Sequence, residues 1–92
     1  MPIEVHLSGY LKEYTKNKHE LHVPDAEDVL DLVAQLDRIF PSIIEKVLDE
    51  HLKVRPWVNI FVNEKNIRDL HGELTKLNDR DVIYILPSIA GG

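Results

Sequence analysis

Ile3, Val5 and Leu7 alternate with Glu4, His6 and Ser8, the period-two pattern of a strand with one buried and one wet face. A second alternating run sets Leu21 and Val23 against Glu20 and His22, and Pro24 ends it. The two runs predict an antiparallel hairpin across a polar connection, residues 9–17, that carries Tyr10, Leu11 and Tyr14. The period then changes. Val29, Leu32, Val33, Leu36 and Phe40 recur at helical spacing, Leu30 and Ile39 widen the stripe, and Asp31, Gln35 and Arg38 mark the wet face. Asp25 is the expected N-cap, with Glu27 and Asp28 placing negative charge at the helix's positive end. Pro41 closes this helix, because the residue before a proline is driven out of the α region. The main helix is therefore predicted over Asp25 to Phe40. Ser42 with Glu45 matches a capping box, and Ile44, Val47, Leu48 and Leu52 predict a second, short helix.

Alternation returns after Pro56. Val58, Ile60 and Val62 share one face of a strand from Trp57 to Val62, a turn follows at 63–66, and Ile67 begins a brief returning strand. Val82 to Leu86 is apolar on both faces, as in a strand at mid-sheet or one covered by a partner. This order of elements predicts an α+β domain: a mixed sheet with one main helix packed across one face, plus the short second helix. Leu32, Val33, Leu36, Val58 and Ile60 are the expected core. A central last strand would send the chain out of the sheet's end. If the helix covers the Val58 face, then Phe61, Tyr84, Leu86 and Trp57 fall on the opposite face, where an aromatic patch suits partner recognition.

Composition narrows the function classes. At 92 residues the chain is one small domain, and 43% apolar content fits a globular protein rather than a disordered one. There is no cysteine, so disulfides, thiolate metal sites and a cysteine nucleophile are excluded. That agrees with a cytoplasmic location. No apolar stretch approaches the ~18 residues of a membrane span, so no membrane partner is expected. The net charge of −5 disfavours nucleic acid and suits a partner with a basic surface.

Side chains offer little catalytic chemistry. Glu4, His6, Glu20 and His22 would share the hairpin's outer face, but a solvated polar face explains them, and no metal is expected. Asp49-Glu50-His51 lacks the second histidine of a zinc-protease motif. Ser8, Ser42 and Ser88 stand in no nucleophile-elbow context, and there is no Gly-rich phosphate loop. The chain's end is different. Pro87 separates the last apolar run from Gly91-Gly92, and a tip without side chains can thread a narrow active site. Extended, the tail after Leu86 could reach on the order of 20 Å.

The run Leu77-Asn78-Asp79-Arg80-Asp81-Val82-Ile83-Tyr84-Ile85-Leu86-Pro87-Ser88-Ile89-Ala90-Gly91-Gly92 resembles the end of the ubiquitin-like β-grasp sulfur carriers, the MoaD/ThiS family. The likeness spans essentially the whole domain in element order. Val58-Asn59-Ile60-Phe61-Val62-Asn63 with Ile67-Arg68, and Ile44-Glu45-Lys46-Val47-Leu48-Asp49 upstream, look like the variant that feeds sulfur to cysteine synthesis. Carriers for molybdopterin commonly have two prolines before the tail, whereas Pro87 here is followed by Ser88. Thiazole-pathway carriers are usually shorter than a chain that includes the Ser42 to Pro56 segment.

The resemblance implies a β-grasp domain over residues 1–86 and a flexible Gly-Gly tail over 87–92. It implies that a ubiquitin-activating-like adenylyltransferase/sulfurtransferase adenylates Gly92 with ATP and Mg²⁺, and that persulfide sulfur then displaces the adenylate to leave a thiocarboxylate. Gly91, Ala90, Ile89 and Pro87 would thread the partner, and this chain would be a cosubstrate with no bound cofactor, not an enzyme. The consumer would be a cysteine synthase or the large subunit of a molybdopterin synthase. Two other classes stay open: a protein modifier conjugated through Gly92, and a β-grasp interaction module with a silent tail.

Overall fold

The computed structural model describes residues 1–88. Its strands are β1 (Ile3–Leu7), β2 (Glu20–Val23), β3 (Val58–Val62), β4 (Lys65–Asn66) and β5 (Val82–Pro87). The helices are α1 (Val29–Ile39) and α2 (Ile43–Val47), with 3₁₀ turns at Gly9–Thr15, Ile67–Asp69 and Gly72–Leu74. The sheet runs β2-β1-β5-β3-β4. The last strand is central, parallel to β1 and antiparallel to β3. Its neighbours explain its apolarity: Ile83 and Ile85 are fully buried between two strands and beneath the helical layer.

One core holds the two layers together. Ile3, Val5, Leu7, Val58, Ile60, Ile83 and Ile85 meet Val29, Leu32, Val33 and Leu36 of α1. Every one of the five expected core residues is buried. The β1–β2 hairpin forms with Ile3 opposite Val23 and Val5 opposite Leu21. Its connection, however, is structured. Residues Gly9–Thr15 make a 3₁₀ turn that drives Leu11 into the core, and the buried Thr15 hydroxyl donates to the Lys18 carbonyl at 2.8 Å.

Four local expectations need correcting. The main helix is capped by Asp28, not Asp25, and starts at Val29: the Asp31 amide donates to Asp28 Oδ1 at 2.8 Å. Residues 25–27 cannot coil because their backbone is engaged elsewhere. Leu77 N donates to Glu27 O at 3.1 Å, and Val29 N donates to Thr75 O at 3.2 Å. Second, Asp31 and Gln35 are half-buried rather than exposed; only Arg38 of the three is exposed. Asp31 Oδ2 accepts from the Glu27 amide, and Gln35 Nε2 donates to the Asp25 carbonyl, so both fold over the helix start.

Third, the Ser42–Glu45 capping box does not form. Ser42 has φ 90° and makes no side-chain cap. Asp37, in the last turn of α1, supplies the acceptor instead: its Oδ1 takes the amides of Ser42 at 3.0 Å and Ile44 at 3.1 Å. Leu52 lies outside α2, exposed in a turn at φ 62°. Fourth, the returning strand is only Lys65–Asn66, and Ile67 begins a 3₁₀ turn that buries its side chain.

Candidate functional site

The helices cover one face of the sheet and leave the other open. Strand register sets a single row across that open face: Glu20, His6, Tyr84, Phe61 and Asn66, one from each strand. His6 and Tyr84 stack with ring centroids 4.8 Å apart and planes 15° apart. Tyr84 is exposed, whereas Phe61 and Leu86 are half-buried. The structure therefore brings Phe61 and Tyr84 together as expected, directly opposite each other on β3 and β5. Leu86 lies two residues along β5 from Tyr84, opposite Asn59.

Trp57 does not join that row. It precedes β3, is 51% exposed, and its ring lies under the Arg55 guanidinium at 5.6 Å. It lines a groove with Tyr10, Tyr14, Lys46 and Arg55. Polar side chains hold the sheet between Trp57 and Phe61. Arg68 Nη1 donates to Asn59 Oδ1 at 2.7 Å, while Nη2 reaches the carbonyls of Val58 and Arg55. In the sequence Arg68 stands out only as part of the Ile67-Arg68 pair of the family likeness; no spacing rule announces a clamp from the 3₁₀ turn onto β3.

The root of the C-terminal segment is held from three sides. β5 runs through Pro87, one residue beyond the expected end of the strand, and Pro87 pairs in register with Val58. A proline at a strand's last position costs no ladder bond if its nitrogen side faces away from the partner. Ser88 N then donates to the Trp57 carbonyl at 2.7 Å, and Asn59 Nδ2 donates to Ser88 Oγ at 2.8 Å. On the other side Gly9, at φ +63°, lies so close that a Cβ there would meet Pro87 Cγ at 2.6 Å. Glycine is needed here for both reasons. Ile89, Ala90, Gly91 and Gly92, which carry the expected reactive end, lie outside the described residues.

The site is thus a sheet end held through Ser88, beside an aromatic row on the open face. Such an arrangement can present a chain end to another protein's active site while a neighbouring surface docks on that protein.

Comparison with known proteins gives the family. The model of the ThiS family matches residues 5–92. A putative sulfur carrier protein of Archaeoglobus fulgidus is 36% identical over 78 residues, 83% of this chain and 88% of that one. The sulfur carrier protein CysO of Mycobacterium tuberculosis is 33% identical over 63 residues, 66% of this chain and 68% of that one. The solution structure of small archaeal modifier protein 1 from Methanosarcina acetivorans matches with a TM-score of 0.81 at 32% identity, covering 99% of this chain and 96% of that one.

Proposed function

The chain belongs to the ThiS family and has its ubiquitin-like β-grasp fold, and we propose that it carries sulfur as a thiocarboxylate on Gly92. The observation that supports this most is the central strand. β5 is held by β1 and β3, and the hydrogen bonds of Ser88 extend that hold to the last described residue. Four residues follow, enough to reach about 14 Å when extended. A short side-chain-poor segment on a fixed root presents its carboxylate at a defined distance from the docking face. That is what an activating partner requires, since orientation supplies much of the rate of an acyl transfer.

A carboxylate is a poor acyl donor because oxide leaves badly. The Gly92 carboxylate would attack the α-phosphate of ATP in the partner's Mg²⁺-containing site, releasing pyrophosphate and giving an acyl adenylate. The outer sulfur of a partner persulfide would displace AMP to form an acyl disulfide. A second thiol would cleave its S–S bond by exchange, leaving a disulfide on the partner and a thiocarboxylate on Gly92. The product is a soft nucleophile that delivers sulfur without free sulfide. This chain contributes the reactive end and the docking surface of Tyr84, Phe61 and Leu86, and catalysis belongs to the partner. Among consumers, the cysteine branch has the better support, because a relative at 33% identity is a sulfur carrier protein named CysO and the Val58–Asn63 segment resembles the cysteine-pathway variant. In that branch a cysteine synthase adds the thiocarboxylate to an activated serine, giving a Gly92-linked cysteine. In the molybdopterin branch the tail enters a large synthase subunit.

The likeness to a small archaeal modifier protein favours one further reading, conjugation of Gly92 to lysines of other proteins. Intact-mass measurement of the native protein separates the readings. Oxygen-for-sulfur exchange supports the carrier, branched conjugates support the modifier, and neither mass shift sinks both.

A further inference from the structure

Glu4, His6, Glu20 and His22 form a square on the outer face of the β1–β2 hairpin. Register places His6 opposite Glu20 and Glu4 opposite His22. The donor atoms of Glu4, His6 and Glu20 all lie within 4.8 Å of one another. His6 Nε2 is 2.5 Å from Glu4 Oε2, and His22 Nε2 is 3.0 Å from Glu20 Oε2. We propose that this square binds one divalent transition-metal ion of the zinc type, with Glu4, His6 and Glu20 as ligands and His22 as the fourth.

The donor set fits that class of ion. Imidazole nitrogen with carboxylate oxygen suits zinc, nickel or copper, while calcium and magnesium favour oxygen alone. Each imidazole already shares a proton with a carboxylate, and a metal ion takes the place of that proton between the same two atoms. The charges match as well. Among the described residues, the ion-pair partners of Glu4 and Glu20 are imidazoles, so two carboxylates face two histidine rings with no lysine or arginine nitrogen paired to them. Arg80 and Met1, with its terminal ammonium, line the cleft beside Glu4 and His22 and are neighbouring cations that weaken affinity.

The geometry is partly preset. His6 is half-buried, and its stack on Tyr84 fixes the ring with Nε2 directed at Glu4. All four residues sit on paired strands, which place ligands more firmly than loops do. Metal–ligand distances near 2.0–2.2 Å put tetrahedral donors about 3.3–3.5 Å apart. Rotamer changes in Glu20 and His22, both exposed, bring their donors onto the ion, while the half-buried Glu4 carboxylate draws back from its 2.5 Å contact with His6 to admit it. The sequence pattern gives a solvated polar face for these residues; what it does not show is that the outward histidines turn toward the carboxylates on their own strands. The ion would lie next to Tyr84, at the edge of the proposed docking row.

Titration calorimetry of the full chain with zinc chloride tests the site. One equivalent should bind, and His6→Gln and Glu20→Gln should each weaken binding by at least about tenfold. His51→Gln, on an exposed turn away from the hairpin, should bind like the parent. Paramagnetic broadening by Co²⁺ is a second readout that needs no variant. It should centre on the His6 and His22 imidazoles and the Tyr84 ring. Absence of zinc binding at submillimolar concentration, unchanged binding in both hairpin variants, or broadening centred on His19, His51 or His71 would each overturn the proposal.

Discussion

The Ser88 amide donates to the Trp57 carbonyl at 2.7 Å, so the sheet holds the chain for one residue past Pro87. Leu86 lies opposite Asn59 in the same ladder, and Asn59 also binds Ser88 Oγ. The segment proposed to carry the chemistry thus follows a fixed point, set by neighbours on β3 and by Gly9.

Gly9→Ala tests that fixed point. A methyl at φ +63° carries left-handed strain and meets Pro87 Cγ at 2.6 Å. The expected loss is about 2–4 kcal/mol in urea unfolding, with amide shifts at Ser88 and Ile85. Native stability with an unmoved Ser88 amide would show that the contact does not hold the root.

Asp37→Ala should cost about 1–2 kcal/mol, because the carboxylate caps two amides at the start of α2. Ser42→Ala should cost much less, since its side chain makes no cap. Chemical denaturation of the two variants checks the order.

Asp49 gives the pH dependence a sign. Its carboxyl is held below the ordinary 3.8, first by the Lys53 amide; burial, the next influence, opposes this, and the His51 amide and the charges of His51 and Arg55 add to the lowering. A lowered folded pKa means the folded state favours the ionised form. The stabilisation is present above the unfolded value of 3.8 and is lost as pH falls through the lower folded value. The stability gap between the parent and Asp49→Ala should therefore narrow in acid, below about pH 4. A gap that is constant from neutral pH downward would contradict the carboxylate's role.

Tyr84→Ala removes an exposed ring from the middle of the open face while leaving the core untouched. Turnover by the activating partner should fall about tenfold or more, with the unfolding midpoint little changed. Equal loss from Arg38→Ala, on the helical side, would argue that the docking face is elsewhere.

The sequence carried the fold where burial obeys a period. Val5, Ile60 and Leu36 each follow from strand or helix spacing, and all are fully buried. The central place of β5 was readable too, because Val82, Tyr84 and Leu86 leave it no polar face. What failed was local and depended on distant partners. Asp28 caps α1 because Thr75 and Leu77 bind the backbone just beside it, and no rule within the 25–28 stretch could say so. Asp37 outcompetes Ser42 because the chain bends back to bring the second helix start onto the first helix's last turn. Phe61 beside Tyr84 was legible from alternation, whereas Trp57 leaves the row because the strand begins only at Val58.

The central claim concerns the Gly92 carboxylate, and ATP–pyrophosphate exchange with the purified activating partner measures its activation most directly. The chain ending at Gly92 should support exchange, while deletion of Gly92 or addition of one residue after it should abolish exchange without altering the unfolding midpoint. Undiminished exchange by the Gly92 deletion would contradict the account.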